Sequence, residues 1–283
     1  MGVKLLVGSS SDITMEEAKQ LGIEMIPMII TFGEEMYSDG VDITKREFFE
    51  KLIESDELPK TSQINMFQFE ERFKEMTADG SEVVAITISS KLSGTYANAV
   101  QAAENFGGKV FVVDSLNACI GERILIEYAI RLMKEGVAAK EIAEHLEEGR
   151  QRIRLMALLG TLEYLQKGGR ISAAAAILGE ILHIKPVISI IDGEVKLVGK
   201  AMGSKKGSNL LTQMIDKSGG IDFDMPHVTA YSGLDDSLLQ KYLHDSSHLW
   251  KEQIDEVPSY CIGSTIGTHI GPGSIAVAYF AEK

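Results

Sequence analysis

No stretch of the 283 residues reaches about 18 consecutive apolar positions, so the sequence offers no candidate membrane span. The longest apolar tract near the middle, 171–184, is interrupted by Ser172, Glu180 and His183. Met1 to Val7 is too short for a secretory apolar segment and runs into Gly8 and three serines. Gly2 does not open a myristoylation motif, because position 6 is Leu. Cysteine is scarce: Cys119 and Cys261 make neither a disulfide framework nor a metal pair. Positive charge is in deficit, with 28 Lys+Arg against 41 Asp+Glu, a net charge of −13. That balance opposes phosphate neutralisation, and so opposes nucleic acid as a partner. It equally opposes docking on an anionic membrane through a basic surface. These absences point to a soluble, reducing, cytoplasmic setting without stable membrane insertion.

Several catalytic signatures are also missing. Gly199 to Gly207 carries Lys200, Lys205 and Lys206 but not the spacing of a nucleotide phosphate loop. His244 and His248 stand four apart, yet residue 245 is Asp and no third zinc ligand is evident. No G-x-S-x-G nucleophile elbow occurs. No metal and no organic cofactor is therefore expected.

What is present reads as α/β. At about 150 residues per domain, the length suggests two domains. In the first half, apolar runs at 3–7, 23–32, 83–88 and 110–113 alternate with helical tracts, as in a parallel sheet with crossover helices. Thr14 with Glu17 and Thr44 with Glu47 form capping-box pairs that start two of those helices. Helices are expected over 96–106, 124–134 and 139–154. The second half changes style. Val187–Ile191, Asp192-Gly193 and Glu194–Val198 spell a hairpin, since Asp-Gly suits a type I′ turn. Strands at 227–231, 260–266 and 274–280 and a helix at 235–244 complete an α+β pattern with a largely antiparallel sheet. The expected division is an N-terminal α/β domain, 1–160, and a C-terminal α+β domain, 161–283.

Three hydroxyl-rich tracts stand out: Ser9-Ser10-Ser11-Asp12, Pro59 to Gln63, and Ser89 to Thr95. Singly, such tracts serve as helix caps. Two of them follow strands of one parallel sheet, and ligands sit at the carboxyl edge of such sheets. Hydroxyls and free amides collected there make an anion site. With only Lys60 and Lys91 nearby, a carboxylate fits better than a triphosphate. His269, between glycines in the tract joining the last two expected strands, can approach an anion and donate to it when protonated. A serine-dependent acyl hydrolase using Ser93 and His269 is the competing possibility. Leu162 to Ser172 reads as a helix with a glycine stop, Ser172 capping the next helix. That leaves Arg170 at the junction, free for a partner contact.

Taken together, six pieces resemble one family across essentially the whole chain. They are S-S-S-D-I-T (9–14), T-S-Q (61–63), S-S-K-L-S-G-T-Y (89–96), L-E-Y-L-Q-K-G-G-R-I-S (162–172), K-P (185–186) and H-I-G-P-G (269–273). The pattern is similar to the DegV family of fatty-acid-binding proteins, the FakB-type subunits of bacterial fatty acid kinase. The resemblance implies two α/β domains with one long-chain fatty acid between them. It implies that Thr61 and Ser93 hold the carboxylate, with His269 close by. It implies no catalysis by this chain: a separate ATP-binding kinase subunit would phosphorylate the presented carboxylate, and Arg170 would face that partner. The acyl phosphate would then feed phospholipid synthesis. A lipid-sensing adaptor remains a further alternative. The chain departs from the family pattern after the hairpin, where Met202 stands in place of an arginine that often helps hold the headgroup. Burial of a chain of about 16 carbons is worth roughly 12 kcal/mol at about 0.8 kcal/mol per CH₂. Ile26, Met28, Ile30, Phe32, Ile177, Leu178, Ile181 and Leu182 are candidates to line its pocket.

Overall fold

Residues 2–171 and 184–282 are described by a computed structural model. Ser172, Ile177, Leu178, Ile181 and Leu182 lie outside the described residues. In the first half, β1 (Val3–Gly8), β2 (Glu24–Ile26), β6 (Glu82–Thr87) and β7 (Val110–Asp114) form a wholly parallel sheet in the order β2-β1-β6-β7. Its inner strands are apolar without alternation: Leu5, Leu6, Val83, Val84 and Ala85 are all buried. Helices cover both faces, which is why period-two alternation is absent. The helices of this half are α1 (Met15–Leu21), α2 (Lys45–Glu54), α3 (Met66–Thr77), α4 (Thr95–Ala103), α5 (Cys119–Lys134) and α6 (Ala139–Gly149), of which α2 packs on Ile30 and Phe32 rather than on the parallel sheet. The capping boxes of Thr14 with Glu17 and Thr44 with Glu47 form as expected. Asn65 with Gln68 adds a third at the start of α3.

The tract 23–32 is not one strand. Pro27 has no N–H to give a ladder, and the next donor, Met28 N–H, goes to Ser9 Oγ at 3.0 Å. β2 therefore stops at Ile26. The chain restarts as β3 (Ile29–Phe32), which joins β4 (Glu35–Ser38) and β5 (Lys60–Ser62) in a small antiparallel sheet, order β4-β3-β5.

The second half is built on a six-stranded sheet in the order β10-β9-β8-β13-β11-β12, antiparallel except between β11 and β12. Its strands are β8 (Ile153–Leu158), β9 (Ile184–Ile191), β10 (Glu194–Met202), β11 (His227–Ser232), β12 (Ser259–Cys261) and β13 (Ser274–Phe280). Asp192 and Gly193, at φ 52° and 81°, make the hairpin turn with both central residues left-handed, as a type I′ turn needs. Further helices are α7 (Glu163–Lys167), α8 (Gly203–Asp216), α9 (Ser237–Asp245) and α10 (Ser264–Ile270).

Two further expectations are corrected. The helix expected over 139–154 ends at Gly149, and the residues beyond a short 3₁₀ turn form β8. Leu155 to Leu158 are all buried, and such a run cannot be told from a buried helix by period. The second sheet thus begins at Ile153. The strand expected over 260–266 stops at Cys261, and Ser264 to Ile270 turn into α10. Among the described residues no helix is long and apolar enough to cross a membrane.

Candidate ligand-binding cavity

A cavity of about 390 Å³ lies between the two halves. Ala157 and Leu155 of β8, Ile188 and Ile190 of β9 and Ala276 of β13 form one apolar wall. Met28, Ile88, Leu92, Ile266 and Ile270 close it from other sides. Its polar residues are Thr61, Ser62, Gln63, Ser93, Thr265, His269 and Arg170. Thr61, Ser93, His269 and Arg170, all singled out from the sequence, line this one space.

Each arrives on a different element. Thr61 stands on β5, opposite Ile30, rather than in a loop. Ser93 lies in the turn before α4, where its Oγ is 2.9 Å from Thr95 Oγ1 and accepts from Thr95 N–H at 3.3 Å. Gly94 lets these two tracts close up, because a Cβ there would strike the Gln63 side chain. His269 is on α10, not in a glycine loop. That helix packs hard on α2: a Cβ at Gly267 would come within 2.6 Å of Phe48 and 3.0 Å of Phe49.

His269 Nε2 lies 2.9 Å from Thr61 Oγ1. Its Nδ1 is buried and has no hydrogen-bond partner among the described residues. Burial, and then the positive charge of Arg170, hold the imidazole down at about 4, so it is neutral near pH 7. Of the two states the sequence allows, protonated donor or neutral ring, the neutral one fits this burial. A proton on Nδ1 would be buried unpaired, whereas a proton on Nε2 donates to Thr61 Oγ1. The second arrangement leaves the Thr61 hydroxyl hydrogen free to point into the cavity.

Arg170 is half-buried. Its Nη1 donates to the Gly168 carbonyl at 2.5 Å and its Nε to the Leu92 carbonyl at 3.3 Å. Burial lowers its pKa from the ordinary value. It lines both the cavity and an adjoining cleft of about 510 Å³ that holds Lys91, Glu194, Lys196 and Lys200.

Other sequence candidates lie elsewhere. Ser9 to Asp12 are buried and bonded inward: Ser10 Oγ donates to Glu122 at 2.9 Å, Ser11 Oγ to the Gly8 carbonyl at 2.8 Å, and Asp12 accepts from Gly263 N–H at 2.7 Å. Of the tail-lining candidates among described residues, only Met28 borders the cavity. Ile26 packs with Phe69 and Phe73, and Ile30 and Phe32 pack with Phe48 and Phe49. Met202 is 54% exposed at the end of β10 and borders no part of the cavity. Among the described residues Ser93 and His269 share no hydrogen bond and no carboxylate orients His269 Nδ1, so these residues form no hydrolase relay. Among the described residues no three metal-ligating side chains cluster. Cys119, Thr265 and Gln63 were missed as lining residues. Gln63 was within a quoted motif, but nothing in the sequence marked the other two.

Fold and cavity define an α/β protein of two halves that encloses an apolar space with a hydroxyl-rich polar side. The model described as "Uncharacterised protein, DegV family" matches residues 2–282, and the chain belongs to the DegV family. A DegV domain-containing protein of Caldanaerobacter subterraneus is 33% identical over 99% of both chains. Among solved structures, a fatty-acid-binding DegV family protein from Thermus thermophilus is 28% identical, covers 100% of both chains and has a TM-score of 0.88. DegV from Bacillus subtilis, also a fatty acid binding protein, is 26% identical over 100% of both chains, with a TM-score of 0.84.

Proposed function

We propose that this protein binds one long-chain fatty acid between its two halves and presents the carboxylate to a separate ATP-dependent kinase subunit in the cytoplasm. The observation that carries this reading is the largely apolar cavity with a cluster of hydroxyls at one side, Thr61 among them beside a neutral His269. The fatty acid binding reported for the Thermus and Bacillus proteins supports it.

In this reading the tail lies against Ala157, Ile188, Ile190 and Ala276, and its burial supplies most of the affinity. Thr61 and Ser93 each donate one charge-assisted hydrogen bond to the carboxylate, worth roughly 1.5–3 kcal/mol. A carboxylate is already deprotonated and needs no general base to attack phosphorus. What it needs is position, and hydroxyl donors fix position without a permanent buried ion pair. Arg170, in the wall shared by the cavity and the basic cleft, is the proposed contact with the kinase.

Mass spectrometry of the organic extract of purified protein tests the ligand. About one long-chain acid per chain is expected. Protein that copurifies with none, and takes up none when offered, would refute the reading. Acyl phosphate formation on adding the kinase subunit and ATP tests the presentation.

A further inference from the structure

Helix α10 carries His269 near one end, and its other end is held by two carboxylates from the opposite half of the chain. Asp12 Oδ1 accepts from Gly263 N–H at 2.7 Å. Asp39 accepts from Ser264 N–H and Thr265 N–H, each at 3.2 Å, and from the Thr265 hydroxyl at 2.6 Å. Asp12 and Asp39 are 1% and 3% exposed. Lys45 ties the same seam, its Nζ donating to the Asp12 carbonyl at 3.0 Å and the Cys261 carbonyl at 2.7 Å. Cys119 and Glu122 complete the buried surroundings of Asp12.

A local Ser or Asn could cap a seven-residue helix at little cost. Here the acceptors come from residues 225 to 251 positions away and carry the desolvation cost of buried carboxylates. A local cap would satisfy the amides but would not join the halves. We propose that Asp12 and Asp39 are positioning residues for the polar side of the cavity. They clamp α10 to the first half so that His269 stays in register with Thr61. The helix is about 10 Å long, so a tilt of about 6° at the clamp moves its far end by about 1 Å, a displacement that matters for positioning. The ligand-binding consequence rests on the fatty-acid reading; the clamp itself does not.

The test uses Asp12→Ala, Asp39→Ala and the milder Asp12→Asn in the full chain. Three readouts are taken: amide hydrogen exchange at 263–265, the imidazole nitrogen resonances of His269, and the dissociation rate of a fluorescent long-chain fatty acid. The alanine variants are expected to speed exchange at 263–265 by roughly tenfold or more, with β1 and β6 unaffected. They should shift the His269 resonances and speed ligand release by a similar factor. Asp12→Asn, which keeps one acceptor oxygen, should lie between Asp12→Ala and wild type. If the alanine variants do not fold, Asp12→Asn and Asp39→Asn carry the same readouts. Unchanged exchange and unchanged His269 resonances would overturn the clamp, as would loosening spread evenly over the molecule. Wild-type protein that binds no fatty acid would instead refute the lipid reading, and the clamp would be judged on exchange and resonances alone.

Discussion

The imidazole of His269 and the hydroxyl of Thr61 meet at 2.9 Å, although 208 residues of chain separate them. One belongs to a helix of the second half and the other to the small sheet of the first. The pair spans the seam at the polar side of the cavity, and it decides which way a hydroxyl hydrogen points.

Removing the hydroxyls should separate holding the lipid from presenting it. Thr61→Ala and Ser93→Ala are each expected to weaken fatty-acid affinity by roughly one to two decades, at about 1.4 kcal/mol per decade. Both should still copurify with lipid, because tail burial dominates. A kinase-coupled acyl phosphate assay beside a lipid-occupancy measurement on the same preparations checks this. Full activity in the double variant would refute the headgroup assignment.

Acid should expose two buried groups with opposite signs. His269 sits at about 4 against its ordinary 6.5. Between those values the unfolded chain binds a proton that the folded chain refuses, so acidification costs stability. Asp12 is raised by burial to about 6 from 3.8, with Lys45 opposing. Between pH 6 and 3.8 the folded chain binds the extra proton, so acidification adds stability through Asp12. Melting temperatures followed from pH 7 to 4 should fall less in His269→Gln than in wild type and more in Asp12→Asn. Curves that diverge in the same direction would count against this assignment.

Two adjacent glycines should behave differently. A Cβ at Gly168 would lie 2.5 Å from His269 Nδ1 and 2.9 Å from the Tyr164 carbonyl. Gly168→Ala should cost about 1–3 kcal/mol and push His269 off Thr61, weakening ligand binding. Gly169, at φ 71°, has open space around a new Cβ. Gly169→Ala should cost about 1–2 kcal/mol of backbone strain and leave affinity unchanged. Urea unfolding and ligand titration of both variants check the contrast.

Arg170→Ala should keep lipid and lose acyl phosphate formation with the kinase. It should also raise the His269 pKa, because the Arg170 charge is the second cause of its depression. An NMR titration of His269 in both proteins reads the change. Lipid lost from the purified variant would place Arg170 in the binding site rather than at the partner surface.

What the sequence disclosed follows the range of the interactions. Capping boxes at Thr14 and Thr44 act over three residues and the Asp192-Gly193 turn over two, and all form as read. β8 was hidden because a strand buried on both faces carries no alternation. α10 was hidden because its amides are satisfied by Asp12 and Asp39, more than 220 residues away. The same distance explains why Asp12 looked like part of an anion loop. Thr61, Ser93 and His269 come from three remote tracts. Their hydroxyl and imidazole chemistry was visible, but only the family resemblance brought them together before the structure did.

The order of strands in the second sheet bears on how the molecule is made. β13, at 274–280, lies in the middle, between β8 and β11. It is the last of the described strands to leave the ribosome. Until it pairs, β8 shows a bare edge, and the wall containing Ala157 and Ala276 is only half built. The nascent chain must therefore reach β13, more than 110 residues beyond β8, before it has a cavity to fill. The parallel sheet of the first half, finished by Asp114, can form long before.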